Sequence, residues 1–346
     1  MSSSLNSMKQ ETSSSPVPAP LRICIAGAGA IGGTLAVRLS AAGHQVSVLA
    51  RGQTLQAIRE RGLTLHDLHG TTHARPAASQ LPEFGVQDVV FLCAKSQDMS
   101  ALLPQIAPMV GEETVVIPTN NGVPWWYFYK LVGPYENHRV HSVDPDGTQW
   151  DGIGPERVVG CITYVAAEVV APGVVKSGGS GRYFIGEPDG AQSERCLLFA
   201  EAVNRTSIVA RVRDNLRKDL WLKIMGNSAF NPTGALTLAT VGEMINDPFV
   251  EAQLRLIMEE VTAVGRALGA EPSETADYRI ENSRKNAMPH KSSMLQDLER
   301  GRMMEVNQII GAARELGQLV GVPTPTIDTV FALIRLRARV GGMLPE

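Results

Sequence analysis

Hydrophobic and polar positions alternate in two textures along this chain, and the texture changes near residue 213. Residues 21–26 (LRICIA) form a short apolar run with β-branched members, which predicts a buried strand. A helical pattern (TLAVRLSAAG) follows, then a second strand over residues 46–50 (VSVLA). Residues 89–94 (VVFLCA) and 114–117 (TVVI) predict two more strands of an open parallel sheet. From residue 158 short β-rich runs are broken by Pro172-Gly173 and Gly178-Gly179 and predict an antiparallel extension of that sheet. A helix over 194–204 and a strand over 207–212 complete the first half. From residue 215 the pattern is helical almost throughout, with loops near 271–273 and 321–325.

The turn after the first strand adds chemistry to this outline. It reads Gly27-Ala28-Gly29-Ala30-Ile31-Gly32, a G-x-G-x-x-G between a strand and a helix inside one β-α-β unit. Gly27 allows the tight turn, Gly29 lets backbone approach a pyrophosphate, and Gly32 lets the helix lie close to the strand. The helix N-terminus then offers free N–H groups to phosphate. The predicted fold is therefore α/β: an N-terminal Rossmann-type dinucleotide-binding domain (residues 21–213) followed by an all-α domain (residues 214–346). The second strand closes with Ala50 and Arg51 where an NAD site would have Asp or Glu. Arginine there suits a 2′-phosphate, so the expected cofactor is NADP(H). Lys95 and Asn121 follow the next strands, where open parallel sheets bind ligands. Lys95 is a candidate for steadying the dinucleotide, and Asn121 for reaching substrate or nicotinamide.

The second half carries its own signal in residues 217–240, RKDLWLKIMGNSAFNPTGALTLAT. Lys223, Asn227 and Asn231 recur at intervals of four, so a helix stacks them on one face. Gly226, Ser228 and the asparagines are poor helix formers, and Pro232 is expected to end the helix. Farther on, Ser293-Met294-Leu295-Gln296 reads as an S-x-x-Q helix start. An unbroken helix from Ser293 to Glu305 would separate them by about 18 Å. Gly301 offers a break, so a bend is expected near residues 300–302, with Glu305 in the first turn of a new helix.

Composition narrows the field. A net charge of −3 gives no reason to expect a nucleic-acid or anionic-membrane partner, and no apolar run approaches spanning length. Cys24, Cys93, Cys161 and Cys196 are scattered without a CxxC pair, and Cys24 and Cys93 sit inside the apolar strand runs, which predicts reduced core thiols of a cytoplasmic protein. His66, His69 and His73 need not share a face, so no metal site is expected. Residues 1–20 are rich in Ser and Pro and are expected to form a disordered tail.

The order of these features resembles the ketopantoate reductases (2-dehydropantoate 2-reductases) over nearly everything after Pro20. The resemblance rests on Gly27-x-Gly29-x-x-Gly32 with Arg51, on Lys95, on Asn121-Gly122, and on the blocks WLKIMGNSAFNPTGALT and SSMLQDLERGRMMEV. It implies Lys223 as general acid with Glu305 in support. Asn121, Asn227, Asn231 and Ser293 would bind substrate, and Arg51 and Lys95 the cofactor. The implied reaction is NADPH-dependent reduction of a small 2-oxo acid, 2-dehydropantoate to pantoate in pantothenate biosynthesis. A different 2-oxo or hydroxy acid, or an NADP-sensing regulator without catalysis, stays open, as does a homodimer. The departure from the short form of the family is an aromatic cluster, Trp125-Trp126-Tyr127-Phe128-Tyr129, next to Asn121-Gly122. It either caps a core or reshapes the substrate site.

Overall fold

A computed structural model describes residues 19–179, 181–286 and 288–344. The expected tail therefore lies outside the described residues, apart from its last two. In chain order the first half contains β1 (Arg22–Ala26), α1 (Ala30–Ala41), β2 (Gln45–Leu49), α2 (Gly52–Arg61), β3 (Leu63–Asp67), β4 (Gly70–Ala74) and β5 (Ala77–Ser79). It continues with β6 (Val89–Leu92), α3 (Met99–Ile106), β7 (Val115–Pro118), α4 (Thr148–Ile153), β8 (Gly160–Tyr164), β9 (Ala167–Ala171), β10 (Val174–Ser177), β11 (Arg182–Gly186), α5 (Glu194–Asn204) and β12 (Val209–Val212). The second half is helical: α6 (Leu216–Thr237), α7 (Val241–Asn246), α8 (Pro248–Ala267), α9 (Ala276–Asn286), α10 (Ser293–Glu299), a π-helical turn (Asn307–Gly311), α11 (Ala312–Val320) and α12 (Pro325–Val340).

Five parallel strands in the order β5-β2-β1-β6-β7 make the main sheet. Both faces are covered, which is why its strands read as continuous apolar runs. Ile23 and Ile25 of β1 pack with Leu35 and Leu39 of α1. Cys24 and Ala26, pointing the other way, join a core that runs through α3 and the aromatic cluster into α6 and α8. The expected antiparallel extension of this sheet needs correction. β8 and β9 to β11 build two further sheets, β4-β3-β10-β9 and β12-β11-β8, and β10 and β11 each have one parallel neighbour. Among the described residues an isolated parallel bridge, Val116 to Val158, joins the segment leading into β8 to the main sheet. The β9–β10 hairpin is diverted so that β10 pairs with β3, where Val175 fills the space left by Gly33 on α1.

α6 is the axis of the helical half, packed against α7, α8, α10 and α12. Asn215 caps its start by accepting from the Lys218 N–H. Pro232 does not end it: the helix runs on to Thr237 and closes at Leu238, a left-handed residue whose N–H bonds Gly234 O at 2.8 Å. Proline costs one backbone bond, but Ala229, Phe230, Asn231, Pro232 and Ala235 are all buried, and that packing outweighs the loss. The aromatic cluster is core. Trp125, Trp126, Tyr127 and Phe128 are buried, and Trp221 Nε1 of α6 donates to Tyr127 Oη at 2.7 Å. Arg217 holds the same segment through the carbonyls of Tyr127 and Tyr129, both at 2.9 Å. Among the described residues no helix is long and apolar enough to cross a membrane.

Candidate active site

The carboxyl ends of β1, β6 and β7 face the helical half across a cleft of about 2220 Å³, its open mouth included. At one end lies the glycine turn. Gly27 has φ +110, and a Cβ there would meet Ala94 N at 2.8 Å. A Cβ on Gly32 would lie 1.9 Å from Gly27 O, so side-chain-free approach is required at both. A Cβ on Gly29 would meet no protein atom within 4 Å, because Gly29 faces the open cleft. Gly29, Ala30 and Ile31 line that cleft, with α1 beginning at Ala30. This backbone cradle at a helix N-terminus fits the pyrophosphate of a dinucleotide. Ala28 is half-buried beside it. Arg51 stands two residues beyond β2, exposed and paired with Asp98 at 2.7 Å. Lys95 lines the cleft, where Asp297 neutralises it at 2.5 Å and Met303 O accepts from it at 2.8 Å.

The middle of the cleft brings Lys223, Glu305 and Asn121 together. Lys223 Nζ donates to Thr163 O at 2.8 Å and stands 5.8 Å from the Tyr164 ring centre. Burial lowers its pKa from the ordinary 10.5 to about 8, against the pull of the Cys161 thiol and of Glu305 towards the charged form. Glu305 is 8% exposed, and burial raises its carboxyl above the usual range. Lys95, the Asn121 hydrogen bond and Lys223 work the other way. Asn121 Nδ2 donates to Glu305 Oε2 at 3.2 Å. Gly122, at φ +86, lies so close to the far wall that a Cβ would meet Gln308 O at 2.0 Å, and Val123 N–H bonds that same carbonyl at 3.0 Å.

The expected break at Gly301 is present. α10 stops at Glu299, Gly301 takes φ +60, and helix resumes at Val306, so Glu305 stands one residue before the new helix rather than within its first turn. The helix start at Ser293 needs correction. Ser292 is the cap, its Oγ accepting from Leu295 N at 3.3 Å. Ser293 is thereby released to face the cleft, where Asn231 Nδ2 reaches its Oγ at 3.5 Å.

Lys223, Asn227 and Asn231 line the cleft from one face of α6, together with Gly226 and Phe230. Lining residues that the sequence did not mark out also join them, among them Thr163, Tyr164, Arg279 and Asp297. Thr163 and Tyr164 end β8, a position that open sheets use for ligands, and Asp297 sits inside the SSMLQD block. Arg279 had no such marker. The aromatic cluster does not reach the cleft: Trp125 and Trp126 line a separate apolar cavity that shares only Asn120 with it. The hairpin histidines are also remote, with His66 and His73 bonded to Thr71 and Thr64.

Two family models match this chain, ketopantoate reductase PanE/ApbA over residues 23–190 and its C-terminal domain over residues 215–338. A Mesorhizobium japonicum protein named 2-dehydropantoate 2-reductase is 45% identical over 318 residues, 91% of this chain and 97% of that one. A Ralstonia solanacearum MolK2 structure matches with TM-score 0.89 at 36% identity, covering 94% of this chain and 100% of the other. D-mandelate dehydrogenase, solved with NADH and anilino(oxo)acetate, shares the fold at TM-score 0.78 and 21% identity, over 93% of this chain and 99% of its own.

Proposed function

This chain belongs to the ketopantoate reductase family and is a dinucleotide-dependent oxidoreductase acting on a CH–OH group, and from that premise we propose that it reduces 2-dehydropantoate to pantoate with NADPH. The observation that carries the reading is Lys223: a half-buried ammonium in the cleft with pKa lowered to about 8, near a buried carboxylate. Residues 21–213 serve the dinucleotide and residues 214–346 supply the general acid and most of the substrate wall. The N-terminal turn of α1 receives the pyrophosphate, and Arg51 the 2′-phosphate, once it exchanges Asp98 for that group. NADPH, when bound, supplies the hydride.

Lys223 Nζ gives a proton to the substrate oxygen as negative charge develops there, and its positive field stabilises that charge beforehand. Glu305 keeps Lys223 protonated at neutral pH, and Asn121 orients Glu305 through its amide. Asn227, Asn231 and Ser293 orient the substrate along α6. The closed seam at Gly122 and Gln308 keeps water from the reacting end. With this substrate the reaction belongs to pantothenate biosynthesis.

The test is NADPH oxidation with a panel of 2-oxo acids. Turnover led by 2-dehydropantoate supports the reading. Preference for another 2-oxo acid redirects it within the family, and NADPH binding without turnover of any of them overturns it.

A further inference from the structure

The cations of the cleft are not alike. Lys95 is neutralised by Asp297, and Arg300 by Glu168 at 2.8 Å. Lys176 and Arg302 are exposed, where water serves them. Arg279 differs from all of these. It is half-buried and lines the cleft, its Nε is buried without a hydrogen-bond partner, and among the described residues no carboxylate pairs with its guanidinium. A half-buried guanidinium with a buried, unbonded Nε and no carboxylate partner favours an anion that the protein does not itself supply.

Its placement says which anion. The guanidinium rests on Gly226 of α6: a Cβ there would lie 2.9 Å from Arg279 Nε and 3.0 Å from Nη2. Gly226 is three residues beyond Lys223, about 4.5 Å along the helix, on the cleft-lining side. The Asn231–Ser293 pair is eight residues beyond, about 12 Å along the axis. In a 2-oxo acid the carboxylate carbon is bonded directly to the carbonyl carbon. A group that holds this carboxylate must therefore lie within roughly one helical turn of the residue that meets the carbonyl oxygen. Arg279, seated on Gly226, satisfies that condition.

We propose that Arg279, seated on Gly226, binds the carboxylate of the 2-oxo acid and is the residue that makes this site select acids; the proposal rests on the 2-oxo acid reading above. Its planar fork matches a carboxylate in two parallel hydrogen bonds, which a lysine at the same place would not reproduce.

The test compares 2-dehydropantoate with its primary amide, and pantoate with pantoamide, on wild type, Arg279→Met, Arg279→Lys and Gly226→Ala. Turnover by the wild type decides the function reading. Acid-over-amide preference, read as KM and as calorimetric binding to the NADP-loaded protein, decides this proposal, since binding is measurable whether or not turnover occurs. Arg279→Met should raise KM and Kd for the acids about 30- to 100-fold, leave the amides within about threefold, and leave NADPH affinity unchanged. Arg279→Lys should recover part of the loss. Gly226→Ala improves helix propensity and displaces only the flexible end of Arg279, so it should fold and reproduce the same acid-selective loss. An equal loss for acid and amide, or no loss in either, overturns the proposal.

Discussion

Asn121 and Glu305 meet across the cleft, amide nitrogen to carboxylate oxygen at 3.2 Å, although one follows β7 of the sheet and the other precedes the π-helical turn of the helical half. The contact ties the ionisation of a buried acid to a loop on the opposite wall. It also decides how the proposed general acid responds to pH.

Burial raises the Glu305 carboxyl and the Asn121 hydrogen bond opposes that rise. Asn121→Ala should therefore raise it further. The acid limb of kcat/KM, where Glu305 becomes protonated and stops supporting Lys223, should move to higher pH. An acid limb in the variant that coincides with wild type would mean the limb belongs to another group.

Lys223 acts in reduction as the ammonium, which is present below its pKa of about 8. Reduction should fall as pH rises through about 8, and oxidation of the hydroxy acid, which needs the neutral amine, should rise over the same window. Lys223→Ala should lower kcat by about 10²–10⁴ and change NADPH affinity little. A variant with near-normal kcat would remove Lys223 from the role.

The same lysine should weaken the fold. A lysine whose pKa is lower folded than unfolded destabilises the native state at every pH below about 8, and that cost disappears between 8 and 10.5. Lys223→Met should raise Tm at pH 7, with the gain shrinking as pH approaches 10. A Tm that falls at pH 7 would show that the bond to Thr163 O outweighs the desolvation.

Two neighbouring glycines should fail differently. Gly32→Ala drives a Cβ to 1.9 Å from Gly27 O and should destabilise the protein by about 3 kcal/mol in urea titrations. Gly29→Ala meets no protein atom, so Tm without cofactor should hold while NADPH binding weakens. Equal Tm losses in the two variants would contradict this division.

Arg51 is the expected source of preference for NADPH. Its pair with Asp98 is exposed and worth at most about 1 kcal/mol, little enough for a phosphate to displace. Arg51→Glu should raise KM for NADPH at least about tenfold and leave NADH nearly unchanged. Parallel changes for both nucleotides would assign the preference elsewhere.

What could be read from the chain alone follows from the range of the forces involved. Periodicity and glycine placement report local geometry, so the β-α-β turn, the helical second half and the Lys223–Asn227–Asn231 face were legible. The break at Gly301 was legible too, because one helix could not serve both Ser293 and Glu305. Pro232 misled because its local cost is visible in sequence and the burial that offsets it is not. Ser292 and Ser293 are adjacent and chemically identical, so only backbone geometry shows which one caps α10. Arg279 stayed hidden because its signal is a missing partner, and partners far apart in sequence can be counted only in three dimensions.

The seam where Gly122 and the Val123 N–H meet Gln308 O is made of main chain on both sides. The hydrogen bond and the close approach there use no side-chain atom. Asn121 and Glu305, which flank the seam, are therefore held at a separation that substitutions elsewhere in the cleft leave intact. Apart from Arg279, the wall formed by α9 and the far end of α6 can change its residues, and with them the acid it admits, while the reacting end keeps its dimensions. That makes the cleft a good starting point for laboratory evolution of reductases with new substrates, provided Gly122 is left alone.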